Sequence, residues 1–188
     1  LSVFRFTEVL RQWFGAQGYT LLLSIFVGLL SGLAAVTLKN ITEYFHEVAR
    51  RAEGPWVMWL APAMPVVCVI FVKLFVKGKY DKSLANVIVS TTNGTSSIPA
   101  QHCWSHLVTS GISVGLGGAA GLEAPIALTG SAIGSNVAKF LRTGLETRTL
   151  LLACGGGAGI SAIFNSPVAG ALFACEILLP AFSVPALV

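Results

Sequence analysis

The sequence predicts an all-α integral membrane protein with tilted and broken transmembrane helices, and three observations carry that reading. Of its 188 residues 54% are hydrophobic and only 11% charged, against about 25% charged in soluble domains. The mean hydropathy is +0.77. The apolar residues stand in long unbroken runs, not in the short alternations of a barrel strand, and a helix satisfies its own backbone in lipid. The basic residues lie between those runs, where they set topology.

Residues 1–18 are expected to form an interfacial helix, because Arg5, Glu8 and Arg11 alternate with Phe4, Phe6, Leu10, Trp13 and Phe14. No short apolar core with a small-residue cleavage site is seen there, so no signal peptide is expected. Residues 19–188 read as a membrane domain. Tyr19 to Leu38 is uncharged and about 20 residues long, enough to cross the hydrocarbon core. Lys39 to Glu53 balances its charges and is expected outside. Trp56 to Val72 is a second apolar span, with Trp56 and Trp59 as interfacial anchors, and it runs into Lys73, Lys77, Lys79 and Lys82. That basic end predicts a cytoplasmic loop, which places the N-terminus in the cytoplasm too.

Between Ser83 and Ala138 the only Asp, Glu, Lys or Arg is Glu123. The interval is interrupted by the polar string Ser90 to Pro99 and by Gly121-Leu-Glu-Ala-Pro125. Broken helices at membrane depth are tolerated where the irregular backbone is buried in protein or lines a cavity. Lys139, Arg142 and Arg148 then form a basic loop, expected to be cytoplasmic. Leu150 to Phe164 and Pro167 to Leu179 complete the chain, with Asn165 or Ser166 as the cap of a helix that starts at Pro167. Gly155, Gly157 and Gly159 imply closely packed helix backbones.

Pro99 and Pro125 each suit the first position of a helix. Two helix N-termini inside the membrane present unpaired N–H groups and partial positive charge, which attract an anion without a cationic side chain. Ser96 and Ser97 add hydroxyl donors beside Ile98, or serve only as caps. Glu123 is an acidic residue within a span, and such residues usually mark an ion or proton path. When ionised it competes with a bound anion; when protonated it leaves the site.

Those residues carry a family resemblance. Gly121-Leu-Glu-Ala-Pro125 and the helix after it resemble the G-R-E-G-P segment of CLC chloride channels and transporters. Thr95-Ser-Ser-Ile-Pro99 is similar to their G-S-G-I-P segment. Gly155 to Gly170, with Phe164-Asn-Ser-Pro167 inside it, resembles A-A-G-L-A-A-A-F-N-A-P-L-A-G. The resemblance implies voltage- or pH-gated movement of chloride or another halide. It places Glu123 as the gating glutamate and Ser96 as the central anion-coordinating hydroxyl, with Ser97, Ile98, Leu122 and Ala124 around the anion. Leu122 stands for the family Arg and Ala124 for a Gly, which implies a weaker outer positive potential and tighter backbone access.

The resemblance further implies a homodimer in lipid with one path per subunit and no cofactor besides the transported anion. The family's later G-x-F-x-P segment and anion-binding Tyr have no counterpart before Val188, so the chain is expected to be the first half of an inverted-topology repeat. In the family's exchangers a proton-accepting Glu follows the position matched by Glu176. Here that residue is Ile177, which leans the reading to passive flux over a proton-coupled chloride or fluoride antiporter.

Other classes fit less well. The formal charge of +4 is not clustered on one solvated face, so no nucleic acid is expected. Gly115 to Gly121 lacks the strand, Lys and acidic partner of a nucleotide loop. His102 and His106 share a helical face but have no third ligand for a metal. Cys68, Cys103, Cys154 and Cys175 form no ligand or disulfide pattern and read as small buried hydrophobes. An intramembrane hydrolase would need a positioned base beside Ser96 or Ser97, for which Glu123 or the histidines are available only on paper. No enzyme activity is expected.

Overall fold

A computed structural model describes residues 2–51, 70, 84–92 and 95–179. Among them every regular element is helical: α1 (Ser2–Arg51), α2 (Leu84–Thr92), a 3-10 turn (Ala100–Cys103), α3 (Ser105–Gly115), α4 (Glu123–Phe140), α5 (Leu145–Phe164), α6 (Pro167–Phe173) and a π-helical turn (Ala174–Leu178). The span expected at Trp56 to Val72 and the lysines after it lie outside the described residues, apart from Ile70.

α1 is broken once, at Gly15, whose φ of 70° is open to a residue without Cβ. The break falls three residues before the expected boundary at residue 18. Beyond it, Gln17–Arg51 is a single 35-residue helix, about 52 Å long at 1.5 Å per residue. The connection expected at Lys39 to Glu53 is therefore helical as far as Arg51. Residues 39–51 hold no Gly or Pro to stop a helix, and Glu47 meets Arg51 one turn on at 3.0 Å. A bilayer core is about 30 Å thick, so this helix either tilts strongly or extends past it.

The two faces of α1 are both apolar. Val27, Ser31, Ala35 and Leu38 are buried, whereas Leu21, Ile25, Leu29 and Leu33 are all more than 60% exposed. A stripe of that kind is stable in lipid and not in water. Two helices among the described residues, Gln17–Arg51 and Leu145–Phe164, are long and apolar enough to cross a membrane.

α4 and α5 form the centre of the bundle. They run antiparallel, since Gly130 meets Gly155 while Gly134 meets Leu151 and Gly159 meets Ile126. A Cβ on Gly130 would fall on the Gly155 carbonyl, and one on Gly155 on the Gly130 carbonyl, so only glycine permits this approach. α1 lies parallel to α5, with Leu23 and Val27 packed against Val137, Ala138 and Leu151. α3 packs along the later part of α1, Gly111 on Ile41 and Gly115 on Phe45.

The basic loop is shorter than expected. Lys139 belongs to α4 and Arg148 to α5, leaving Arg142 alone of the three in the turn between them. Asn165 ends α5 with a left-handed φ of 51°. Ser166 then caps α6, its hydroxyl accepting from the Ala169 N–H at 3.4 Å, with Pro167 as the first helical residue. Cys103, Cys154 and Cys175 are half-buried and unpaired; Cys68 lies outside the described residues.

Candidate functional site

Of the polar string Ser90 to Pro99, residues 90–92 end α2 and residues 95–99 form a loop. Ser90 ends up as its anchor: its carbonyl accepts from the N–H groups of Thr95 at 3.0 Å and Ser96 at 2.9 Å. Ser96 is wholly buried with a φ of 43°, a left-handed conformation uncommon outside glycine. Ser135 on α4 holds it there, donating its hydroxyl to the Ser96 carbonyl at 2.7 Å and accepting the Ile98 N–H at 3.1 Å.

Two cations close the same loop. Lys139 Nζ donates to the Ile98 carbonyl at 2.9 Å, and Arg148 Nη1 reaches the Thr95 carbonyl at 3.4 Å. The Nε of Arg148 is buried without a hydrogen-bond partner. Ser96 thus sits among positive charge, at the end of the bundle where α4 finishes and α5 begins.

The Ser96 hydroxyl is 2.7 Å from that of Thr149, and Thr149 also donates to the Leu145 carbonyl at 3.0 Å. A hydroxyl has one proton to give. With Thr149 donating to Leu145, Ser96 donates to Thr149. The Ser96 proton then points at Thr149.

Pro99 is not the first residue of a long helix. It precedes a four-residue 3-10 turn and has extended backbone, with ψ at 139°. The Ser96 and Ile98 N–H groups that precede it are already bonded. Ser97 is exposed, and no side-chain cap forms there. Neither serine is a helix cap.

Pro125 is likewise the third residue of its helix, not the first. α4 begins at Glu123, with Leu122 half-buried before it and Ala124 exposed after it. The first-turn N–H groups of Glu123 and Ala124 have no helical carbonyl to bond. The Glu123 side chain is exposed and folds back over Gly121, where a Cβ would collide with its carboxylate. Glu123 and Ala124 therefore stand exposed on this chain at a true helix N-terminus, which favours negative charge.

The structure does not bring these two halves together within the described residues. Ser96 is tied to Ser135, and Glu123 lies about 18 Å from Ser135 along the axis of α4. The separation also leaves Ser96 without Glu123 as a base. Of the packing glycines, Gly155 faces Gly130, while a Cβ added at Gly157 would lie 2.7 Å from the Gly170 carbonyl oxygen and one at Gly159 3.1 Å from Ile126.

Sequence reasoning missed Ser135 and Thr149 as partners of Ser96, and Lys139 and Arg148 as partners of the neighbouring Ile98 and Thr95 carbonyls. Their separations of 39 and 53 residues for Ser135 and Thr149 leave no local signal. It set His102 and His106 aside, yet both are buried, their rings stacked at 5.0 Å and 15°. Nδ1 of His102 and Nε2 of His106 are 2.9 Å apart, hydrogen-bond distance. Among the described residues no three His, Cys, Asp or Glu side chains converge to hold a metal. Glu176 and Ile177 are both exposed on the π-helical turn.

Comparison with known proteins adds a family. The model of the voltage gated chloride channel family matches residues 78–188. The chain is 26% identical over 170 residues to a chloride/fluoride channel protein of Pseudomonas syringae pv. tomato, covering 90% of this chain and 35% of that protein. It is 29% identical over 189 residues to the H(+)/Cl(-) exchange transporter ClcA of Cronobacter sakazakii, covering 92% and 40% respectively. Among solved structures a slow cyanobacterial Cl-/H+ antiporter matches with a TM-score of 0.64 and 22% identity, over 89% of this chain and 42% of that one. The chain thus spans about two-fifths or less of these proteins.

Proposed function

Because the chain belongs to the voltage-gated chloride channel family, we propose that the complete protein moves chloride or fluoride across a membrane in exchange for protons. The observation that carries this is Glu123: the only Asp, Glu, Lys or Arg between Ser83 and Ala138, it heads an 18-residue helix at its positive end. There an anion and the carboxylate compete for the same N–H groups. Protonation removes the competitor and loads a proton in one event, which is the coupling an exchanger needs.

Exchange replaces passive flux as the first reading, since relatives over most of the chain are named exchange transporters. Ile177 favours the passive reading, as does the word channel in the names of two relatives.

Ser96 is the inner anion-coordinating hydroxyl. It is reached past Lys139 and Arg148, which raise the local anion concentration. Glu123 gates the opposite end of α4, with Leu122 and Ala124 beside it. The second half of the repeat supplies the donors that join the two ends.

The basic end faces the cytoplasm by the positive-inside rule. Leu23 and Val27 enter the bundle at that same end, so the N-terminus is cytoplasmic as well. The complete protein is a homodimer in lipid, each subunit with its own path.

The test is halide flux from liposomes holding the complete protein, read with chloride and fluoride electrodes between pH 5 and pH 8. Wild-type flux rises as pH falls, and Glu123→Gln is fixed at the acid level throughout. A Glu123→Gln variant with the full wild-type pH profile would remove Glu123 from the gate.

A further inference from the structure

Two imidazoles are buried in the middle of this bundle with no role in the anion path described above. His102, in the 3-10 turn, and His106, one turn on in α3, are 1% and 6% exposed. Their nitrogens meet at 2.9 Å. Such a contact needs one donor and one acceptor, so the two rings share a single proton between them. An ionisable group within a membrane span marks an ion or proton path by default.

Their position is set by α4. Thr129 donates its hydroxyl to the His102 carbonyl at 3.4 Å. Thr129 is about 9 Å along the axis from Glu123 and about 9 Å from Ser135, which holds Ser96. The pair therefore stands midway between the gate and the inner anion site. Ser131 lies on the same helix between Thr129 and Ser135, and its buried hydroxyl has no protein partner; buried hydroxyls of this kind recruit water.

Among the described residues the surroundings hold few competing charges. α1 meets α3 with Leu38, Ile41, Thr42 and Phe45, while its Lys39, Glu43, His46 and Glu47 are exposed. α4 faces the turn with Thr129 and Asn136, and its ionisable residues, Glu123 and Lys139, stand at its two ends. Cys103, next to His102, is turned to Asn136 at 3.8 Å.

We infer that the hydrogen-bonded His102–His106 pair is the internal proton-accepting site of the exchanger, carrying the transported proton between Glu123 and the cytoplasmic end. This rests on the exchange reading. Because α3 runs from the His102 turn toward the Glu123 end of α4, a proton leaving the Glu123 side breaks an O–H bond and forms an N–H bond on Nδ1 of His106. The shared proton moves from His106 Nε2 to His102 Nδ1, and the Nε2 proton of His102 leaves to water. One proton has passed and both rings are neutral again, in the opposite tautomers. Reversal of the tautomers resets the pair.

The experiment uses the complete protein in liposomes, with internal pH and chloride flux recorded together under a chloride gradient. The variants are His102→Asn, His106→Gln and the double change. The expected result is chloride flux retained and proton flux reduced at least about tenfold. Wild-type proton flux in the double variant would overturn the inference. Chloride flux without proton movement in the wild type would overturn it too, and leave anion transport standing; absence of both fluxes would overturn both. Should the variants not fold, nitrogen-15 NMR of labelled histidine in wild-type protein in lipid reads the pair directly. Exchange of the pair between its two tautomers supports the inference, and a pair fixed in one tautomer overturns it.

Discussion

Ser96 and Ser97 adjoin in sequence but differ in what surrounds them. Ser96 is buried under two cations and Ser97 is exposed. Loss of one hydrogen bond to an anion costs about 1.5 to 3 kcal/mol. Ser96→Ala is therefore expected to weaken chloride binding by about tenfold or more, and Ser97→Ala far less, by calorimetry on the complete protein. Equal losses would place the anion elsewhere. Thr149→Val removes the acceptor that holds the Ser96 proton, so it should leave chloride binding as tight as wild type or tighter. A loss as large as that of Ser96→Ala would show that Thr149 itself contacts the anion. Glu123 is legible in the sequence because an isolated carboxylate in an apolar stretch has little other reason to be there. The partners of Ser96 are not legible, since Ser135 and Thr149 reach it only through the pairing of α4 with α5. The histidines share a helical face in sequence, but their burial is a tertiary fact.

At the scale of elements, the contact between α4 and α5 decides whether the site forms, because it brings Lys139 and Arg148 to one loop. Gly130→Ala places a methyl group on the Gly155 carbonyl. Overpacking of this kind costs about 1 to 3 kcal/mol, and the expected outcome is a lower melting temperature in detergent together with weaker chloride binding. Gly28→Ala is the control: its methyl group meets only the Ala158 Cβ, at 3.9 Å, and should leave both unchanged. Equal loss in the two variants would mean that the glycine contact has no special weight. The run Gly155 to Gly159 announces close packing by composition alone, yet not which helix approaches. Helix ends were read less well than helix existence. The balanced charges of residues 39–51 resemble a loop, but with no Gly or Pro the helix runs on. Pro99 and Pro125 suit a first helical position, and local turns set them one residue before it and two after.

At the scale of the molecule, the all-α membrane fold follows from composition and run length, and the α1 stripe shows why: it is apolar on the face that packs and on the face that does not. The path is a different matter. Glu123 and Ser96 lie near opposite ends of α4, so a complete route needs elements beyond the described residues, as an inverted repeat would supply. In the proposed exchange, anion and proton movements are coupled through Glu123. Its most direct test is the internal pH of liposomes containing the complete protein, under an imposed chloride gradient with the membrane potential clamped by potassium. The expected result is sustained proton movement against the proton gradient in the wild type, absent in Glu123→Gln while chloride still flows. Chloride flux in the wild type with no proton movement, or uphill proton movement that survives Glu123→Gln, would contradict it.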